Sequence, residues 1–363
     1  MSARLLDEDL AILRDSARAL GFAALGAVRL DHPGFEPARA ALEAYLDAGW
    51  AGEMAFMERT RDLRGDPGQM LDLDARRGTA LVGLVPYAGE PGPVARYAQW
   101  ADYHTEVHRR LEGLGRALVE RVGPCETLVC VDTKPVLERS AAVLAGLGFI
   151  GKSGCLIAPG LGSYVLIGVL LTDADWAGTD LGARWAEPAG DALPWDACGS
   201  CRACLDACPT DAFAAPGSLD PRRCVAYLTI EHRAPIPEDL AKDMGQRVAG
   251  CDVCQEVCPY NRSTTRGSRL PPGAELPRPL GRPREPDLPR LATIGSNQYR
   301  QFVKGTALNR IPKRSMQRNA LIALGNGEGP LDPREREAIE AVLDGDNEAL
   351  RTLAERALRR RGS

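Results

Sequence analysis

Between Cys198 and Pro209 the chain reads CGSCRACLDACP, which sets three cysteines at intervals of three, a fourth four residues on, and then proline. This is the C-x2-C-x2-C-x3-C-P spacing of bacterial iron-sulfur ligation. Three thiolates in so tight a loop can converge on one cubane, while the fourth points away and ligates a partner cluster. A second set of cysteines must therefore exist. Cys251, Cys254 and Cys258-Pro259 repeat the last three positions of the motif, but Val248 stands where its first cysteine belongs. Cys224, the only cysteine between the two runs, is the natural replacement. The crossed rule then assigns Cys198, Cys201, Cys204 and Cys258 to one [4Fe-4S] cluster, and Cys208, Cys224, Cys251 and Cys254 to another. Two structural zinc sites are the alternative. Zinc suits C-x-x-C pairs but does not call for the crossed C-P pattern. Cys125, Cys130 and Cys155 fall outside the motif and read as small buried apolar residues.

The elements that must position these thiols alternate ahead of them. Leu10, Leu13, Ala17 and Leu20 fall on one face of a helix that Gly21 stops, and a strand follows over AALGAV. A second helix spans 36–48, and residues 51–78 read as loops with at most short helices. TALVGLV (79–85) is a buried strand, and Val107, Leu111, Leu114, Leu118 and Val122 stripe a helix over 104–122. TLVCV (127–131) is a strand, followed by Asp132, Thr133, Lys134 and Pro135 and a helix to about Leu147. Apolar segments at 155–158 and 164–171 complete what reads as an α/β domain. Seven prolines between 271 and 289 mark a linker, and Met316–Leu324 and Glu337–Leu358 read as helices, a truncated repeat-like pair.

GLGFIGKS (146–153) has the letters of a phosphate loop, but a phosphate loop follows a strand and opens a helix, and here the order is reversed. No G-x-G-x-x-G follows a strand, so a Rossmann nicotinamide site is not expected. Electrons for any reduction must come through the clusters.

The 363 residues allow two or three domains, and 44% hydrophobic with 26% charged residues is ordinary globular composition. MSARLLDEDL has acids where an export signal needs an apolar core, and no apolar run reaches membrane-spanning length, so a cytoplasmic location without a membrane partner is expected. There, eleven cysteines point to metal rather than disulfides. The net charge of −4 is uneven: residues 261–320 hold thirteen Lys/Arg and three Asp/Glu. That segment fits a polyanion or, equally, a solvated face.

YAQWADYH (97–104), VDTKPVLERSAAVLAGLGFIGK (131–152), GSY (162–164), the cysteine runs, RRCVAYLTIE (222–231) and MQRNALIALGN (316–326), in this order, resemble the epoxyqueuosine reductase family. The resemblance implies reduction of the epoxide of epoxyqueuosine at the tRNA wobble position to the alkene of queuosine, the last step of queuosine biosynthesis. It also implies catalytic logic shared with reductive dehalogenases: two [4Fe-4S] clusters beside a base-off cobalamin with no histidine ligand. None of His32, His104, His108 and His232 sits in a D-x-H-x-x-G motif.

On this likeness the organisation is an α/β cobalamin and substrate domain (1–185), a ferredoxin-like two-[4Fe-4S] module (186–262), a proline-rich linker (263–290) and a small, basic C-terminal helical region (291–363). The resemblance makes Asp132 the proton donor and a cobalamin contact; a helix-capping aspartate before Pro135 is the alternative. It places Arg64, Lys152, Ser153 and Asp252 near the corrin, each with a plainer role as a surface or turn residue. Ala226 stands where the family often has serine. Arg310, Lys313, Arg314 and Arg318 are placed on anticodon-stem phosphates. The implied partners are tRNA and an external electron donor such as flavodoxin or ferredoxin, acting on a monomer. The competing functions are a reductive dehalogenase using the same cofactors and a non-catalytic ferredoxin-like electron carrier. The basic segment speaks against the first and the long domain ahead of the clusters against the second.

Overall fold

The computed structural model describes residues 4–72, 78–178, 196–262 and 286–362. Most of the expected linker (263–290) and the start of the cluster module lie outside the described residues. Strands β1 (Ala24–Arg29), β2 (Thr79–Pro86), β3 (Thr127–Cys130) and β4 (Val165–Thr172) form one sheet in the order β1-β2-β4-β3. Every pairing in it is antiparallel. The expected mixture of helix and strand is present, but the sheet is not the parallel one that alternating elements suggest. Alternation along the chain does not fix strand direction, and the long excursion from Leu30 to Gly78 lets β2 return against β1 rather than beside it.

Helices cover both faces of the sheet, which is why β2 is buried at all eight positions and reads as an unbroken apolar run. Its successive side chains serve opposite layers. Leu81 and Val85 meet α1 (Asp7–Ala19) and α3 (Tyr103–Val122) through Leu10, Leu13, Leu111, Leu114 and Leu118. Val82 and Leu84 meet α4 (Glu138–Leu144) through Ala141, Ala142 and Leu144 on the other side. Helix α2 (Glu36–Asp47) flanks this second layer. The C-terminal end of α4 seats directly on β1, because a Cβ at Gly26 would lie 2.2 Å from the Ala145 carbonyl oxygen. That seating fixes the β3-to-α4 loop, residues 131–137, at the edge of the sheet. No helix opens after GLGFIGKS: Phe149–Ile150 pairs with Leu156–Ile157 in a small hairpin, as the reversed order required.

The cysteine module is sewn to this domain by backbone. Val248 N–H donates to Pro93 O at 2.8 Å, Ala95 N–H to Ala249 O at 2.8 Å, and Arg96 N–H to Asp252 Oδ2 at 2.7 Å. Within it the helix α5 (Val225–Ile230) starts directly after Cys224.

The C-terminal region is helical as expected, with α6 (Lys313–Gly325), α7 (Pro333–Leu343) and α8 (Glu348–Arg361). The single helix expected over Glu337–Leu358 is broken, because Asn347 caps a new helix by accepting from Leu350 N–H at 3.0 Å. Arg318, expected on tRNA phosphates, is only 6% exposed. Its guanidinium donates to the carbonyls of Leu228 (2.6 Å), His232 (2.9 Å) and Ala234 (3.0 Å). Asn319 next to it bonds Thr229 O and Val248 O, each at 2.8 Å. The polar letters of MQRNALIALGN are thus an internal clamp that holds α5, and with it Cys224, against α6. Arg318→Ala should leave the buried Leu228 carbonyl and the part-buried carbonyls of His232 and Ala234 without their donor and destabilise the protein by about 2 kcal/mol or more, read as a lower urea midpoint. An unchanged midpoint would return Arg318 to a surface role.

Candidate active site

Asp132 follows β3 and takes a left-handed backbone conformation, with φ of 53°. That conformation strains most residues and is tolerated by aspartate. It is held from behind, where Glu138 Oε1 accepts the Asp132 N–H at 2.8 Å. The side chain is 66% exposed, yet its inner carboxyl oxygen is engaged. Tyr103 donates its hydroxyl to Oδ2 at 2.8 Å, and His104 Nε2 stands 3.7 Å from the same atom, at ion-pair range. The far nitrogen of that ring, Nδ1, lies 2.7 Å from Asp102 Oδ1. Tyr103 stacks on His104 with ring centroids 4.0 Å apart, and Tyr97 meets Tyr103 edge-on at 5.9 Å. The capping role for Asp132 fails on this geometry: α4 begins at Glu138, its N-cap is Leu137, and the Asp132 carboxyl points to α3 instead.

Protons are distributed unevenly across the group. The His104 contact, opposed by burial and assisted by Tyr103, holds the Asp132 carboxyl below its ordinary range. Burial resists charging His104, but the carboxylates on either side outweigh burial and raise its pKa. His104 therefore holds a proton more readily than an isolated imidazole does, in line with Asp132. Glu138 is driven the other way, up to about 8, by burial and then by the Asp132 charge.

A raised carboxyl pKa means the folded state keeps a proton that the unfolded chain releases. The stability it lends is complete below about 4.5 and is lost as pH rises towards about 8. Glu138→Gln is permanently neutral and still accepts the Asp132 N–H, so it should flatten that decline in urea midpoints measured across the window. The same slope in both proteins would show that Glu138 does not titrate there.

The eight motif cysteines gather into two groups. Cys204 is raised to about 11 by burial and then by the nearby thiols of Cys198, Cys258 and Cys201. Cys224 is raised to about 11 by burial, with Cys251 and Cys208 beside it, and Cys254 lies against Cys224 and Cys251. Among the described residues, no three His, Cys, Asp or Glu side chains are spaced to hold a single metal ion. Cys130 is buried as expected, but Cys155 is not a simple packing residue: its thiol shares a hydrogen bond with Cys254, which lowers Cys155 and raises Cys254.

The expected corrin contacts divide. The Arg64 guanidinium is half-buried and close enough to Glu138 and Asp132 to feel both charges. Asp252 is 7% exposed, held by Arg96 N–H and Gln255, and its charge and that of Asp132 both raise Tyr97. Lys152 instead ties down the cysteine loop, donating to Gly199 O at 2.6 Å and Cys201 O at 3.0 Å. Ser153 accepts from Cys155 N–H at 3.4 Å. Arg310 pairs with Glu231, lies over the Phe56 ring at 5.2 Å, and is near enough to help lower Asp132. Arg314 is exposed and makes no ion pair among the described residues, and Lys313 is half-buried beside it. Sequence reasoning gave no role to Asp102, Tyr103, His104, Glu138 or Arg96. The signal for the first three was the D-Y-H run itself, one acid beside an aromatic and a histidine at a helix start.

Residues 81–133 match the family model described as Epoxyqueuosine reductase QueG, and residues 197–261 match that of a 4Fe-4S double cluster binding domain. The chain is 37% identical over 324 residues to epoxyqueuosine reductase of Gloeobacter violaceus, covering 86% of this chain and 95% of the relative. It is 34% identical over 359 residues to that of Pseudomonas aeruginosa, covering 96% and 94%. Its fold is shared with epoxyqueuosine reductase from Streptococcus thermophilus, at a TM-score of 0.76 and 24% identity over 97% of this chain and 90% of that one. An epoxyqueuosine reductase solved with an epoxyqueuosine-modified tRNA stem loop aligns at a TM-score of 0.72 and 24% identity over 98% and 99%. On relatives this similar along nearly their whole length, the chain belongs to the epoxyqueuosine reductase family.

Proposed function

We propose that the chain reduces the epoxide of epoxyqueuosine in a tRNA anticodon loop, with two [4Fe-4S] clusters and cobalamin as its cofactors and Asp132 as the last proton carrier. The observation that carries this reading is the Asp102–His104–Asp132 line with the Tyr103 hydroxyl, joined to the second cysteine group through Tyr97, which feels the charges of both Asp132 and Asp252.

The cysteines fit the clusters by number and grouping. Cys198, Cys201, Cys204 and Cys258 hold the first, whose thiols are only partly buried and face an external donor. Cys208, Cys224, Cys251 and Cys254 hold the second, deeper one. The residues near Asp132 also fit a broad amide-rimmed corrin. The Arg96 Nε is buried without a hydrogen-bond partner, and Arg64 offers a cation near Asp132. Both nitrogens of His104 face carboxylates, which commits the ring to proton transfer. When bound, cobalamin would supply one-electron redox chemistry for the reduction of the epoxide.

The chain's own work is on oxygen and proton. As the C–O bond opens, the oxygen acquires charge and needs a donor within hydrogen-bond reach. Asp132 presents its free oxygen outward and delivers that proton, His104 replenishes it with its own charge stabilised by Asp102, and a second proton by the same route lets the oxygen leave as water. Tyr103 fixes the rotamer of Asp132, and Glu138 fixes the loop. A tRNA partner fits the Arg310, Lys313 and Arg314 edge, of which Arg310 lies near Asp132. Conversion of an epoxide-bearing stem-loop to the alkene by reduced, cobalamin-loaded protein tests the reading.

A further inference from the structure

The GLGFIGKS stretch opens no helix, yet its glycines and lysine are spent on the cysteine module. Its hairpin, residues 149–157, touches both cysteine groups. A Cβ at Gly148 would lie 2.3 Å from the Ile157 carbonyl oxygen, so the two short strands close only on glycine. Gly154 makes the turn, with φ of 75°. The closed hairpin brings position 151 to the first group, where an added Cβ would stand 3.6 Å from Cys198 Sγ. Lys152 donates to Gly199 O at 2.6 Å and Cys201 O at 3.0 Å, the carbonyls of that group's loop. Cys155 meets the second group through its hydrogen bond with Cys254.

The sulfurs of the second group differ in what they accept. Cys208 takes the Ala212 N–H at 3.3 Å, Cys224 the N–H groups of Ala226 and Tyr227, and Cys251 that of Val253. Those donors belong to the backbone and come with the fold. Cys254 meets a side chain, so its partner is set by the choice of residue at position 155. Iron takes cysteine as the thiolate, which leaves Cys155 as the member of the pair with a proton to donate. A reduced cluster carries one more negative charge than an oxidised one. Hydrogen bonds to its sulfurs and cations beside it therefore favour reduction.

We propose that this hairpin sets the reduction potentials of both clusters, Cys155 by donating its S–H to the Cys254 sulfur of the second and Lys152 by holding its ammonium against the loop of the first. The inference rests on the two-cluster reading above and deepens it. Both are positioning residues, and neither ligates iron. Each makes its cluster easier to reduce, so one external donor can fill both.

Potentiometric titration of the anaerobically reconstituted protein, followed by electron paramagnetic resonance of the reduced clusters, reads the two one-electron steps without turnover. Cys155→Ala should make one step about tenfold less favourable, a shift of about 59 mV to lower potential, with iron content unchanged. Cys155→Ser keeps a donor and should restore most of that shift. Lys152→Gln keeps a hydrogen-bond donor without the charge and should lower the other step. Should the space left by alanine cost iron, Cys155→Val refills it without a donor and is read in its place.

Unshifted steps at full iron overturn the proposal for the residue concerned. A serine variant shifted as far as alanine overturns it too, since packing rather than the donated proton would then be at work. Loss of half the iron from both Cys155→Ala and Cys155→Val would make Cys155 a ligand, and movement of the same step by the Cys155 and Lys152 variants would deny the division between clusters. Wild type that takes up zinc and no iron fails the two-cluster reading itself, and this is scored before any variant is compared.

Discussion

Asp132→Asn is expected to slow turnover of epoxyqueuosine by on the order of a hundredfold or more, a typical contribution from a positioned acid. The substitution is nearly isosteric and keeps most of the local structure. The amide oxygen still accepts from Tyr103, and Glu138 still accepts the backbone N–H of residue 132, so the loop has its anchors. What is lost is the group that carries a proton from His104 to the substrate oxygen. The charge that helps raise His104 is lost with it, and the histidine moves back towards its ordinary range. Iron content and stem-loop affinity should match the wild type. Near-normal turnover would mean that another group, such as Glu138 with its retained proton, delivers to the oxygen.

Cys224→Ser is expected to remove about half the iron from a protein that otherwise carries about eight irons and eight sulfides after anaerobic reconstitution. Val248, in the position the motif reserves for cysteine, is fully buried in the C-terminal core and offers no donor. Cys224 lies against Cys251 and Cys208 at the start of α5, whose far end the Arg318 clamp holds. Turnover should fall to background, because the second group is the one that approaches Asp252 and Tyr97 on the way to Asp132. Full iron with wild-type turnover would show that the fourth ligand of that cluster is another residue, and Cys155, bonded to Cys254, would be the one to replace next.

Local signals were legible because they need only local physics. The cysteine intervals showed which thiols share a loop, and the double-cluster module they announced matches residues 197–261. Helices α1 and α3 and strand β2 were visible in their apolar periods. The antiparallel sheet was not, since alternation says nothing about the direction in which a chain returns.

The basic residues show the same limit. Arg314 and Arg318 are alike in sequence, yet four residues on one helix separate an exposed charge from one buried against three carbonyls. Lys152 was placed near a corrin by likeness and spends its ammonium on the Cys198–Cys201 loop. Glu138 and His104 went unassigned because their roles depend on Asp132, which reaches them from a different element in each case.

The central claim is that reduced protein removes the epoxide oxygen from tRNA. Anaerobic protein loaded with iron, sulfide and cobalamin, incubated with reductant and epoxyqueuosine-bearing tRNA, is followed by nuclease digestion and mass spectrometry of the nucleosides. The expected result is loss of epoxyqueuosine with a matching rise of queuosine, lighter by one oxygen atom, in the wild type and its near absence in Asp132→Asn. Unchanged epoxyqueuosine after many equivalents of electrons have been supplied to fully loaded wild type would contradict the account.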